Sequence, residues 1–220
     1  MTNPSIDLTQ WHGARHPEPV VLAGRRVRLE PLAAAHAPAL WRAVHGHDSI
    51  WDWLADGPYE SETGLADALQ AKAAGAAARF FAILPEGAAT AGYASLMRID
   101  APNGVIEVGN ILMSPRLQRT RAATEAIYLL ARHIFEDLGY RRFEWKCNAL
   151  NLPSRRAAER FGFIFEGIFR QSIVVKGRNR DTAWYSMLDA EWPGRKRAFE
   201  AWLAPENFDE DGRQFSSLSR

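Results

Sequence analysis

From residue 20 onward, apolar residues recur in two periods, every second position or every third to fourth, and the switches between them mark out the predicted elements. Residues 20–32 read as a short strand, a turn at Gly24 and a second strand with Val27 and Leu29 inward and Arg28 and Glu30 outward. Residues 33–45 place Ala37, Leu40, Trp41 and Val44 on one helical face. A loop holding Trp51, Trp53 and Tyr59 leads to a second helix, N-capped by Ser61 and running to about Ala74. Residues 79–84 and 91–99 are strand-like across the turn sequence PEGAAT, which predicts a hairpin. The central strand, 105–113 (VIEVGNILM), is apolar or β-branched apart from interruptions such as Glu107 and Asn110, and Pro115 stops it. Ala123, Ile127, Leu130, Ile134 and Leu138 then follow at helical spacing until Gly139, a helix C-cap residue. His133 lies off the strongest apolar stripe of that helix and is expected to meet solvent.

Beyond the central helix, 142–146 form a short strand, and 153–161 a helix with Pro153 in its first turn and Gly162 at its end. Two long strands flank KGRNR, where Gly177 and Asn179 can take positive φ. A last helix carries Phe199 and Trp202. Residues up to 19 read as an extended lead-in tethered by Trp11, and 207–220 as a flexible, acidic and serine-rich tail. The order β-β-α-α-β-β-β-α-β-α-β-β predicts a mixed α/β sheet, parallel only where a helix crosses over. With no internal repeat or linker, residues 1–206 make one domain.

Composition narrows the function classes. A 47% hydrophobic content over 220 residues supports one sizeable core and not two. With 27 basic against 26 acidic residues there is no global field to draw nucleic acid or an anionic membrane, so any anion site is local. The single Cys147 excludes an internal disulfide and a cysteine-based metal cluster. His45, His47 and Asp48 lack further clustered ligands, so no metal is expected. No basic leader precedes an apolar run, and no stretch approaches the roughly 18 apolar residues of a membrane span. The expectation is a cytoplasmic protein, a monomer or homodimer.

The chemistry gathers between the central strand and the central helix. Amides opening a helix have no intrahelical partners and sit at the positive end of its dipole, and Arg119 and Arg121 add charge there, a combination that favours a phosphate or pyrophosphate. The run Gln118-Arg119-Thr120-Arg121-Ala122-Ala123 resembles the acetyl-CoA loop, Q/R-x-x-G-x-G/A, of the GNAT N-acetyltransferase superfamily. It agrees at Gln118 and Ala123 and carries Arg121 where the family has a glycine that lets the backbone approach the pyrophosphate. A second stretch, 151–167 (NLPSRRAAERFGFIFEG), resembles the family's N-x-x-S/A and G-F-x-x-E-G at Asn151, Ser154, Gly162, Phe163, Glu166 and Gly167. The serine and the E-G pair look most like the Rim-type N-terminal acetyltransferases of ribosomal proteins.

This resemblance, spanning residues 20–188, implies a GNAT-like α/β fold: a mixed, mostly antiparallel twisted sheet flanked by helices, with splayed central parallel strands. It implies acetyl-CoA as cosubstrate and direct transfer of acetyl, in a ternary complex, to a small amine or a peptide N-terminus. By position, Ile111, Leu112 and Met113 would bond the pantetheine arm through their backbone, and Gln118, Arg119, Thr120, Arg121, Ala122 and Ala123 would hold the pyrophosphate. Asn151 would contact the pantetheine region and Ser154 the sulfur. Each has a plainer alternative: core residues at 111–113, an ordinary helix cap at Asn151, and a first-turn serine bonded to its own backbone.

Glu107, eleven residues before Gln118, has the family spacing for a catalytic base, the alternative being a solvated strand glutamate. An ordinary carboxylate is a weak base, so the role requires partial burial or a relaying water. The family's acid tyrosine falls at Ala158, which leaves Ser154, a water or Tyr185 to supply the proton, Tyr185 being more often a core residue; the Rim-type glutamate after E-G falls at Ile173. These departures leave open a second class, a non-catalytic acyl-CoA-binding protein of the same fold. The acceptor would lie between the 51–59 loop and the 173–183 hairpin, with Arg178, Arg180 and Asp181 at its rim. The few carboxylates there favour a peptide N-terminus or amino-acid amine over a polyamine or aminoglycoside.

Overall fold

The structure, a computed structural model, describes residues 7–218; the first six residues of the lead-in and the last two of the tail lie outside the described residues. Eight strands form one sheet: β1 (Leu22–Ala23), β2 (Val27–Pro31), β3 (Ala78–Pro85), β4 (Gly92–Asp100), β5 (Val105–Met113), β6 (Arg142–Asn148), β7 (Ile164–Val175) and β8 (Arg178–Leu188). Their spatial order is β1-β2-β3-β4-β5-β6-β8-β7. Every pairing is antiparallel except β5 with β6, the one place where a helix crosses over between strands that end up adjacent.

Helices α1 (Ala37–Val44) and α2 (Glu62–Ala74) cover one face of the sheet's first half, where Leu40, Val44, Leu65 and Leu69 pack on Ala82, Tyr93 and Leu112. The opposite face lies under α3 (Arg121–Arg132), α4 (Leu152–Phe161) and α5 (Trp192–Leu203) in the main core. There Ile127, Leu130, Phe161 and Phe199 meet Ile106, Val108, Phe143 and Trp145. On the α1 face, the half of the sheet built from β6, β8 and β7 has no helix over it.

Local chemistry sets the element ends as the sequence indicated. Ser61 Oγ accepts from the Gly64 amide at 3.1 Å, and Gly162 closes α4 with φ 92°. Trp11 does tether the lead-in, donating through Nε1 to the Pro102 carbonyl at 2.7 Å. Three expectations change. The β7–β8 turn takes its positive φ values at Lys176 (49°) and Gly177 (72°), and Asn179 already pairs with Val174, because a two-residue hairpin loop needs left-handed dihedrals at two consecutive positions. His133 is buried, its Nδ1 at 2.7 Å from Asp137, because a turn of π-helix over His133–Asp137 rotates it off the solvent side. The described part of the expected flexible tail, 207–218, packs back on the domain. Phe208 meets Trp202 edge-on, Gln214 accepts from Trp202 Nε1 at 2.7 Å, and Leu218 joins the main core. Its few apolar residues suffice because α5 presents Trp202 to them.

Candidate active site

The loop after β5 turns tightly into α3. Gln118 Nε2 donates to the Met113 carbonyl at 3.0 Å, and Thr120 caps the helix, its Oγ1 accepting from the Ala123 amide at 3.1 Å. Arg119 adopts φ 63°, a left-handed conformation. Among the described residues the amides of Arg119, Arg121 and Ala122 have no hydrogen-bond partner, so unfilled donors stand at the positive end of a twelve-residue helix. The backbone strain of the motif falls on Arg119, whereas Arg121 opens the helix without positive φ, so no glycine is required there. The Arg121 guanidinium lies 3.9 Å from the centre of the Phe208 ring, held by the tail.

Beside this loop the parallel strands part. β5 and β6 pair from Val105↔Arg142 to Val108↔Trp145 and no further, although β5 runs on to Met113 and β6 to Asn148. The divergence starts at a bulge: Asn110 has φ 49°, and Ser95 Oγ bridges the Gly109 carbonyl and Asn110 Nδ2, at 3.1 Å each. Gly109 leaves room for Met97, whose Sδ would lie 2.4 Å from a Cβ at that position and would have to move aside. The bulge reverses the alternation of the strand. Leu112 therefore packs under α1 and α2, while Ile111 and Met113 are partly buried against the main core, so the side chains at 111–113 are packing residues. Their unpaired edge is available on the β6 side.

Glu107 sits one turn of the pleat before the bulge, on the face without helices, and is 4% exposed. Lys146 Nζ lies 2.9 Å and Arg98 Nε 3.1 Å from its carboxylate. Lys146 also pairs with Glu144 at 2.6 Å, and Glu144 with Arg142 at 2.7 Å, while Arg142 reaches Glu166 of the E-G motif. Burial pushes the Glu107 carboxyl above its ordinary value, against the opposing pull of Lys146 and Arg98. The partial burial that a carboxylate base requires is thus present. Lys146 was missed in the sequence, yet Arg142, Glu144 and Lys146 at alternate positions, against Phe143 and Trp145 between them, already signal a charged buried face.

The second motif borders the same opening. Asn151 caps α4, its Oδ1 accepting from the Ser154 amide at 3.1 Å. Ser154 Oγ accepts from Trp145 Nε1 at 3.0 Å, so its hydroxyl proton is left to donate, and Cys147 lies beside it at the end of β6. Tyr185 has the surroundings of the core residue that the sequence offered beside the donor role. Its ring is fully buried in the main core, and its hydroxyl accepts from Arg155 Nε at 3.0 Å and donates to Glu159 at 3.2 Å, which makes it a packing residue that anchors α4.

The β7–β8 hairpin and the 51–59 loop touch. Lys176, at the tip of the β7–β8 hairpin, donates to the carbonyls of Trp51 (3.1 Å) and Gly57 (2.8 Å), latching the hairpin onto the 51–59 loop. Trp51 itself is core under α1 and Tyr59 is hydrogen-bonded to Asp56, while Trp53 is exposed. Asp56 pairs with Lys72 at 2.7 Å, and Asp181 accepts from the Gln171 amide and Asn179. Among the described residues no group of three or more His, Cys, Asp or Glu could hold a metal, and no helix is long and apolar enough to cross a membrane.

The acetyltransferase (GNAT) domain family matches residues 26–164. A GCN5-related N-acetyltransferase from Brucella melitensis is 48% identical, with a TM-score of 0.94 over 96% of this chain and 97% of that one. A GNAT-family protein from Chromobacterium violaceum is 39% identical, with a TM-score of 0.81 over 88% of this chain and 98% of that one. A Bacillus subtilis protein, YdaF, named as a candidate ribosomal N-acetyltransferase, is 32% identical over 105 residues; the chain spans 57% of that relative's length, and the match takes in 48% of this chain. The parted strands, the open helix terminus beside them and these matches have one common meaning: this chain belongs to the GNAT acetyltransferase family.

Proposed function

We propose that the protein transfers acetyl from acetyl-CoA to the primary amine of a peptide N-terminus or small amine, directly and within a ternary complex, in the manner of the Rim-type branch. One observation carries this reading: a buried carboxylate, Glu107, lies where β5 and β6 part, beside a helix terminus with unfilled amides. The coenzyme fits that frame, since the free amides of Arg119, Arg121 and Ala122 suit its pyrophosphate and the unpaired edge of 111–113 suits its amide-bearing arm. Bound there, it supplies an acetyl thioester. Glu107, directly or through a water, takes the proton that the attacking amine must lose. An N–C bond forms as the C–S bond breaks, and the Ser154 hydroxyl, which accepts from Trp145 and keeps its own proton to donate, protonates the departing sulfur.

The acceptor side carries few free carboxylates, because Asp56 and Asp181 are already hydrogen-bonded within the fold. Such a wall disfavours a polycation. The test is release of free CoA by the purified protein across peptides, amino-acid amides, polyamines and aminoglycosides. Turnover with peptides or amino-acid amines ahead of spermidine and aminoglycosides is the expected result. Faster turnover of a polyamine or aminoglycoside than of every peptide tested would refute the acceptor reading, and coenzyme binding without turnover on any amine would instead make the protein a non-catalytic acyl-CoA binder.

A further inference from the structure

On the face of β8 without helices, three side chains at alternate positions each carry a buried polar atom with no partner among the described residues: Arg180 Nε, Thr182 Oγ1 and Trp184 Nε1. Buried polar groups in a folded protein are ordinarily hydrogen-bonded, and the arginine and indole nitrogens can only donate. Trp184 cannot swing away to find an acceptor, because its ring is held between Phe169, stacked at 4.3 Å, and Lys146 Nζ at 3.8 Å. The row therefore waits for oxygen atoms.

Its position matters. Thr182 faces Asn148, the last paired residue of β6, and Arg180 stands two residues further on, opposite Ile173. The half-buried Arg180 guanidinium makes no ion pair among the described residues, and the same face of β8 reaches Glu107 through Trp184, since Lys146 Nζ lies 3.8 Å from the centre of that ring and 2.9 Å from the Glu107 carboxylate. Glu107 and Lys146 stand on the two strands that part, and Thr182 pairs with the end of one of them, so this row of β8 borders the opening. The ion-paired charges there are three carboxylates (Glu107, Glu144, Glu166) and three cations (Arg98, Arg142, Lys146), which balance. Arg180 is the cation without a carboxylate.

We propose that Arg180, with Thr182 and Trp184 beside it, is a carboxylate subsite, and that the acceptor amine carries a carboxylate close to its nitrogen. This rests on the acetyl-transfer reading and names the class of acceptor. The planar guanidinium fork takes the carboxylate, while the amine is left facing Glu107, so the two ends of the acceptor fix its orientation. An α-carboxylate of a free amino acid or an acidic side chain at the start of a peptide presents the same chemistry.

The test compares kcat/KM on matched acceptor pairs: free glutamate and serine against their α-amides, and peptides beginning Ser-Glu against peptides beginning Ser-Gln. The carboxylate member should win by roughly tenfold to a hundredfold, the range of a charge-assisted hydrogen bond. The pair that shows the ratio identifies which source is used. In Arg180→Gln the ratio should fall toward one, and Arg180→Lys should restore part of it, with coenzyme affinity by calorimetry reporting that the fold is intact. A ratio near one in the wild type, or the same ratio in Arg180→Gln, would overturn the subsite. If no amine is acetylated at all, titration of glutamate and its α-amide into CoA-loaded protein separates the two readings. Arg180-dependent preference for glutamate then keeps the subsite while the transfer reading falls, and no preference removes the subsite too.

Discussion

Strands β5, β6 and β8 present two faces that differ only by one step of the pleat. Toward α3 and α5 they show Ile106, Val108, Phe143, Trp145, Tyr185 and Met187, an apolar surface buried by apolar helices. On the other face, the same strands show Glu107, Glu144, Lys146, Arg180, Trp184 and Ser186, several of them no less buried. The first face follows from area removed from water and tolerates no polar atom without a partner. The second removes charges from water, which is unfavourable unless they are paired, and the ion pairs from Arg98 through Glu107, Lys146, Glu144 and Arg142 to Glu166 supply the pairing for all of those named but Arg180. This charged face, beside the strand opening, is the one on which the proposed acceptor site lies.

The largest effects should separate these faces by pH. Phe143→Ala should destabilise by about 3–5 kcal/mol through a cavity, equally at all pH values. Lys146→Met should lose a similar amount, about 3–5 kcal/mol, because Glu107 and Glu144 would be left buried without their shared cation. The Glu107 carboxyl, already raised by burial against the pull of Lys146, would then be raised further above its unfolded value, so the loss should be small at low pH and grow as pH rises through the carboxylate range. Urea unfolding at about pH 5 and about pH 8 measures both, and a pH-independent loss in Lys146→Met would mean that the network is not ionised as paired.

Glu107→Gln should lower kcat on the order of 100-fold with coenzyme affinity nearly unchanged. Because burial raises the Glu107 carboxyl, and a base must be deprotonated, the acidic limb of the wild-type rate profile should rise with pH above the ordinary carboxylate value of about 4.3 and be lost in the variant. A drop of less than about threefold would place the base elsewhere or show that the amine arrives neutral. Thr120→Ala should cost about 1 kcal/mol by uncapping α3 at the Ala123 amide, read in thermal melts. Smallest should be the pair Arg119→Ala and Arg121→Ala. The second removes a stack on Phe208 and about 0.5–1 kcal/mol of stability, whereas both together should weaken coenzyme binding and flatten its salt dependence. Unchanged affinity in the double variant would remove both arginines from the site.

Much of this was legible in the chain itself. The period-two and helical repeats gave the element order, because side-chain burial repeats with backbone geometry, and the caps at Ser61 and Gly162 mark their own ends by local hydrogen bonding or backbone freedom. The two motifs and the spacing from the first pointed to the loop, Glu107, Asn151 and Ser154 as candidates, since each depends on spacing within a short segment. Tertiary structure decided what lay between distant segments. The Lys146 bridge joins β5 to its neighbour β6, and Tyr185 is occupied by Arg155 and Glu159 from α4. Arg121 is turned aside by Phe208, eighty-odd residues later, and Lys176 latches a hairpin to carbonyls of a loop more than a hundred residues earlier. A sequence pattern records which face a residue takes because that is set by its own neighbours. Which partner meets it there is set by chain closure over the whole fold, and only the assembled sheet fixes that.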